Sequence, residues 1–167
     1  EFKTPGGVAY DHNNDRIIVV DAWNNRIQVF DKDGGLLFKF GRFGFGVEEF
    51  DRPFGVAYDH NNDRIIVTDT WNHRVQVFDS NSKFLFVFGV FGSGNWEFDR
   101  PFGVAYDHNN DRIIVTDYGN NRVQVFDSKG NFLFEFGRFG FAVGEFNEPV
   151  GVAYDHNNDR IIVGDRD

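Results

Sequence analysis

The chain has 167 residues, 41% of them hydrophobic and 18% aromatic, no Cys, and a formal net charge of −9 from 17 Lys+Arg against 26 Asp+Glu. Absent cysteine excludes disulfide frameworks, thiolate zinc sites and cysteine nucleophiles; the apolar content argues against disorder; and an acidic balance is not the default for a protein that grips a phosphate backbone. No apolar run approaches the roughly 20 residues of a membrane helix, and the start at Glu1, in a chain without any Met, reads as a processed product, an excised piece or an incomplete chain.

One segment, GVAYDHNNDRIIV, occupies Gly7–Val19 and returns unchanged at Gly55–Val67, Gly103–Val115 and Gly151–Val163, always 48 residues on. A fixed period of this kind marks a chain built from one repeated structural unit. Taken from the prolines, the whole chain is a single array with units 5–52, 53–100 and 101–148 and a half unit 149–167.

Each unit opens on a proline (Pro5, Pro53, Pro101, Pro149), which suits the entry to a strand rather than its middle. In the second unit Gly55–Tyr58 reads as a short inner strand whose small residues allow close backbone approach. Asp59–Asp63 is turn chemistry, and Arg64–Thr68 is a second strand rich in β-branched residues. Asp69–His73 is a loop, Arg74–Phe78 a third strand, Asp79–Lys83 a polar turn and Phe84–Phe88 a fourth strand. A Gly/Phe-rich connection, Gly89–Arg100, leads to the next proline. No segment keeps a helical period. Four short strands per unit with both sheet faces apolar predict an all-β fold of β-propeller blades. A β-solenoid ranks below it, because solenoid coils are usually shorter.

The segments Pro53–Asp59, Ile65–Asp69, Asn72–Asp79, Phe84–Gly89 and Glu97–Pro101 resemble the NHL-repeat family, and the resemblance extends over the whole chain. It is nearest to the NHL domains at the C-terminus of tripartite-motif proteins. The resemblance implies an all-β propeller of NHL type with four antiparallel strands per blade, usually six blades closed into a ring. It implies recognition of protein or RNA, and a cytoplasmic setting, with an extracellular one left open. Three and a half blades close a ring only by oligomerisation or in a longer chain. Open blade faces of Phe, Ile and Val therefore predict a homo-oligomer, or further copies of the repeat, as partner. A stable monomer in light scattering would contradict this.

Several constellations carry a bland reading and a functional one. Asp11-x-Asn13-x-Asp15 opens like a calcium loop, but Arg16 stands where Gly is needed and Ala22 where Glu is needed, so a hairpin turn is the better reading. His12, His60, His108 and His156 sit one per turn and read as solvated turn histidines rather than ligands of one metal. Asp69, Asn72 and Arg74 recur in every full unit, which suits a loop brace better than a single catalytic pair. No nucleophile triad, phosphate loop or acid pair stands out, so neither an enzyme nor a cofactor nor a metal is expected.

Unit-to-unit differences are the informative part. Trp23, Trp71 and Tyr118 fill the second loop, Arg42, Phe43 and Arg138 the long connection, and Trp96 stands where Glu48 and Gly144 stand elsewhere. With Arg74 these form the candidate binding surface, since Trp, Tyr and Arg dominate hot spots. Three readings follow: a non-enzymatic scaffold for protein interaction, a reader of single-stranded or hairpin RNA whose bases stack on the rings, or a repeat-built ring or filament.

Overall fold

The computed structural model describes residues 1–166. Three antiparallel four-stranded sheets follow one another along the chain. The first holds β1 (Pro5–Asp11), β2 (Arg16–Asp21), β3 (Arg26–Asp31) and β4 (Leu36–Phe40). A parallel pair of two-residue strands, β5 (Arg42–Phe43) and β6 (Glu49–Phe50), spans the connection to the second sheet. That sheet holds β7 (Val56–Asp59), β8 (Arg64–Asp69), β9 (Arg74–Asp79) and β10 (Phe84–Phe88), and the next connection carries β11 (Val90–Phe91) and β12 (Glu97–Phe98). The third sheet holds β13 (Pro101–Asp107), β14 (Arg112–Asp117), β15 (Arg122–Asp127) and β16 (Phe132–Phe136). A two-stranded half-sheet closes the order, β17 (Gly151–Asp155) and β18 (Arg160–Gly164).

Each sheet is ordered as its strands follow in sequence, so all long ladders lie inside a unit. A solenoid would pair each strand with its counterpart in the next coil, so this order excludes it. Inner strands β1, β7, β13 and β17 instead neighbour one another around a common axis, and the sheets radiate from them as propeller blades.

Close approach at the axis explains the small residues there. A Cβ at Gly55 would lie 2.5 Å from the carbonyl oxygen of Phe102 on the neighbouring inner strand. Thr68 fastens the same spot: its hydroxyl accepts from the Gly55 N–H at 2.8 Å and donates to the Phe102 carbonyl at 2.7 Å.

Between blades the interior is apolar. Ile18, Val20, Ile27 and Val29 of the first blade meet Val56, Tyr58, Ile65, Val67 and Phe78 of the second, with Phe50 from the connection between them. The second and third blades repeat this with Phe98 in the same place. Phe50 and Phe98 are each 0% exposed, whereas Phe2, at the same repeat position before the first blade, has the Phe30 ring beside it and is 42% exposed. The outer face of the first blade is likewise open at Val8, and that of the half-sheet at Ile162.

Gly89 turns the chain out of β10 with φ +94°, and a Cβ there would sit 2.5 Å from the Phe98 ring, which has no room to yield. Gly89→Ala combines left-handed backbone strain with overpacking, each about 1–3 kcal/mol. We expect a loss of about 3 kcal/mol in urea unfolding; a loss below about 1 kcal/mol would show that the ring is not fixed there.

Candidate functional site

The loop after β8 is a single 3₁₀ turn, Thr70–Asn72, closed by His73 in the left-handed region; Ala22–Asn24 with Asn25, and Tyr118–Asn120 with Asn121, repeat it. Asp69 organises this loop. Its buried carboxylate accepts from the Asp51 N–H at 2.9 Å, Asn72 Nδ2 at 2.9 Å, Arg74 Nε at 2.8 Å and Gln76 Nε2 at 3.0 Å. Burial raises the carboxyls of Asp69 and Asp117, and the surrounding donors oppose that rise. Arg74 also donates to the carbonyls of Phe45, Gly46 and Glu49 and is largely covered. The structure thus places Arg74 in the frame of the loop, as the loop-brace reading has it, and not on the candidate binding surface where it was also put.

What this frame presents is a row of rings and cations. Trp23 and Trp71 are 54% and 47% exposed. Lys3 lies 5.7 Å from the Trp23 ring, and Arg52 lies between the two indoles, 5.6 Å from Trp23 and 4.4 Å from Trp71. Further along, Arg100 lies 5.1 Å from Tyr118, which stacks on Phe102 at 5.4 Å and accepts from Arg166 at 2.9 Å. The backbone ties the row to the preceding connection, Trp23 N–H to Lys3 and Trp71 N–H to Asp51. Sequence reasoning found the aromatics but missed Lys3, Arg52, Arg100 and Phe102. The signal was available: Arg52 and Arg100 precede the unit-opening prolines, which puts them beside the second loop.

The other candidates lie apart from this row. Arg42 and Arg138 extend from the connections and pair with Glu49 and Glu145, and the Phe43–Phe45 and Phe139–Phe141 pairs beside them are exposed. Trp96 turns toward the outer hairpin of the third blade, its indole N–H donating to the Gly130 carbonyl at 3.2 Å.

On the opposite end of the blades the histidine reading needs correction. His12 and His156 are exposed, as read, but the four are not separate: their rings form one stacked row with centroids 4.7, 4.3 and 4.5 Å apart, in which His60 and His108 are half-buried. The inner strands converge there, which a reading of one unit at a time does not reveal. Asn13, Asn61 and Asn109 bind the stack together by donating to the carbonyls of His60, His108 and His156. The Nδ1 atoms of His60 and His108 are buried without a hydrogen-bond partner. Burial and the neighbouring imidazoles lower the His60 pKa, and bring that of His108 down to about 4, against a smaller opposing pull from Asp107. Among the described residues no group of three or more His, Asp or Glu is arranged to hold a metal ion.

A depressed imidazole pKa stabilises the fold fully above the unfolded value near 6.5, and that stability is lost as pH falls toward about 4. With screening at the half-exposed stack the loss is about 1–2 kcal/mol. His108→Gln is expected to flatten this limb of the stability–pH profile in denaturant titrations. An unchanged slope would mean that the stack takes up protons freely.

The NHL-repeat sequence model matches residues 2–30, 50–78 and 98–126. A 44-residue stretch, 26% of this chain, is 52% identical to "Protein brain tumor" of Drosophila melanogaster, of which it spans 4%. Among solved structures, a chain of a nidogen/laminin complex superposes with TM-score 0.73 at 19% identity, over 98% of this chain and 57% of that one. Hydrazine synthase of Kuenenia stuttgartiensis gives 0.73 at 12% identity, over 98% of this chain and 42% of that one. A streptogramin B lyase gives 0.71 at 12% identity, over 96% of this chain and 48% of that one. At such identities these structures share the fold alone, and the chain spans about half of each.

Proposed function

The chain belongs to the NHL-repeat family, and we propose that it acts as a non-enzymatic scaffold for protein interaction, with the row Lys3, Trp23, Arg52, Trp71, Arg100 and Tyr118 as its contact surface. The observation that carries this reading is the alternation of cation and ring on one edge of blades that are otherwise nearly identical. Trp23 and Trp71 share one repeat position and Arg52 and Arg100 another, while the third unit carries Tyr118-Gly119 in the same loop. Aromatic and guanidinium groups held on a rigid frame bind at low entropic cost. Arg52 and Arg100 pair with Asp51 and Asp99 at 3.7 and 3.1 Å, so the row is a mixed surface of rings and ion pairs, which suits a peptide with both apolar and charged side chains.

Selection from a random peptide library tests this. The expected result is a set of binders whose affinity falls at least about tenfold with Trp71→Ala or Arg52→Ala. Binders indifferent to both substitutions would contradict the reading. A second reading, single-stranded RNA, is favoured by the same spacing of indoles about Arg52. It requires a gel shift that weakens as salt rises, and no shift at low salt removes it. Assembly into rings through the open faces at Val8 and Ile162 is a third, decided by sedimentation.

A further inference from the structure

The connections 41–52 and 89–100 each run between two complete four-stranded sheets. The residue before β6 in the first is Glu48, and the residue before β12 in the second is Trp96. Both take a left-handed backbone, φ +62° and +69°. Both donate their N–H to a glutamine of the following blade, Glu48 to Gln76 Oε1 at 3.0 Å and Trp96 to Gln124 Oε1 at 3.1 Å. The frame is the same, and the side chain it holds is not.

In the second connection the Trp96 indole crosses to the β15–β16 hairpin and donates to the Gly130 carbonyl at 3.2 Å. Phe88, at the end of β10, is 2% exposed. In the first connection Ser82 of the β9–β10 hairpin holds the place of Gly130, with the same left-handed backbone, and Glu48 does not cross to it. A groove of about 390 Å³ stays open, with Phe40, Arg42, Glu48, Glu49 and Ser82 in its walls. Phe40, the counterpart of Phe88, is only half-buried there. Among the described residues no donor reaches the Ser82 carbonyl, and no hydrogen bond or ion pair holds the Glu48 carboxylate. The Arg42 guanidinium, steadied by Glu49 Oε1 at 2.9 Å, stands where the second connection has Val90. A guanidinium beside an aromatic wall favours a flat ring between them, and the volume falls within the range of ligand pockets.

We propose that this groove is a docking site for a tryptophan side chain of a protein partner, its indole lying on Phe40 beside Arg42 and its N–H donating to the Ser82 carbonyl. Trp96 is the internal precedent: one repeat further on, the chain supplies that indole itself, to the matching carbonyl. Glu48 in the wall favours a Lys or Arg next to the partner's tryptophan. Tryptophan is also the side chain that gains most from a preformed slot, having a large ring and few torsions to fix. The groove shares no residue with the contact row at Trp23, Arg52 and Trp71, so its occupancy is separate from that reading.

Fluorine NMR with the full chain tests this, using the short peptide acetyl-Gly-Trp-Lys-Gly-amide fluorinated on its indole. Saturable binding of one peptide per chain is expected. Glu48→Trp lays the chain's own indole across the groove, as Trp96 does in the next connection, and is expected to weaken binding at least about tenfold. Methylation of the peptide's indole nitrogen removes one donor and is expected to weaken binding about fivefold. That change is made on the peptide, so it reads out whether or not Glu48→Trp folds. No saturable binding at millimolar peptide, equal binding of the methylated peptide, or full affinity in a folded Glu48→Trp chain overturns the proposal. Binding that survives Glu48→Trp and is lost in a Trp23→Phe, Trp71→Phe double variant assigns the peptide to the contact row and also overturns it. So does sedimentation in which the chain pairs with itself until Glu48→Trp is introduced, because the groove then belongs to a second copy.

Discussion

Asp69→Ala is expected to lower the unfolding free energy by about 3–5 kcal/mol, the range for breaking a buried, hydrogen-bonded charge pair from one side. Asp69 is fully buried and is the common acceptor for a backbone N–H, an amide from its own loop, the Arg74 guanidinium and the Gln76 amide. Removing it leaves the Asp51 N–H and the Arg74 Nε–H without that acceptor, and Asn72 and Gln76 with only the Gly44 and Glu49 carbonyls; unmade buried hydrogen bonds cost more than made ones contribute. Asp69→Asn keeps the shape but turns an NH₂ toward other donors, so it is expected to recover only part of the loss. Asp33, exposed and paired to Lys32 beside it, gives the control: its alanine variant should change stability by less than about 0.5 kcal/mol. Denaturant titration decides the matter. A loss at Asp69 below about 1 kcal/mol would mean that the repeated Asp–Asn–Arg–Gln set is decoration.

Phe98→Ala is expected to cost about 3–5 kcal/mol, as buried Phe truncations do. Its ring lies 6.3 Å from Phe88 and 5.6 Å from Phe126, bridging the second blade to the third. The same residue type at the same repeat position provides an internal comparison. Phe2 contacts one ring, Phe30 at 5.7 Å, and is partly in water, so Phe2→Ala is expected to cost about 1 kcal/mol or less. A difference of this size between two sequence-equivalent positions is what nearest-neighbour stabilisation of repeats demands. Equal losses at Phe2 and Phe98 would argue that the ring acts within its own unit and not between blades.

The strands were legible because turn residues and β-branched runs alternate without ambiguity: Phe84–Phe88 is β10 to the residue, and Arg64–Thr68 and Arg74–Phe78 each fall one residue short of β8 and β9. The short parallel pairs in the connections were not, because two residues such as Val90–Phe91 carry no period. Repetition hid what lies between units. One turn read alone makes His60 a surface residue; four turns around an axis make it a member of a stack. Arg74, read both as a loop brace and as part of the binding surface, is held as a brace by Asp69, its register partner on the adjacent strand, whereas Arg52 lies beside Trp71. Pairing across blades, which decides the histidine case, is a property of the arc and has no local signal.

Binding to the row of rings and cations is the central claim, and intrinsic fluorescence tests it most directly. Trp23 and Trp71 are two of the three tryptophans, and both are exposed there. Titration with the tightest peptide selected from a random library should shift and quench the emission, and the signal should vanish in a Trp23→Phe, Trp71→Phe double variant that stays folded. Saturable binding that leaves the emission unchanged and survives both substitutions would contradict the account.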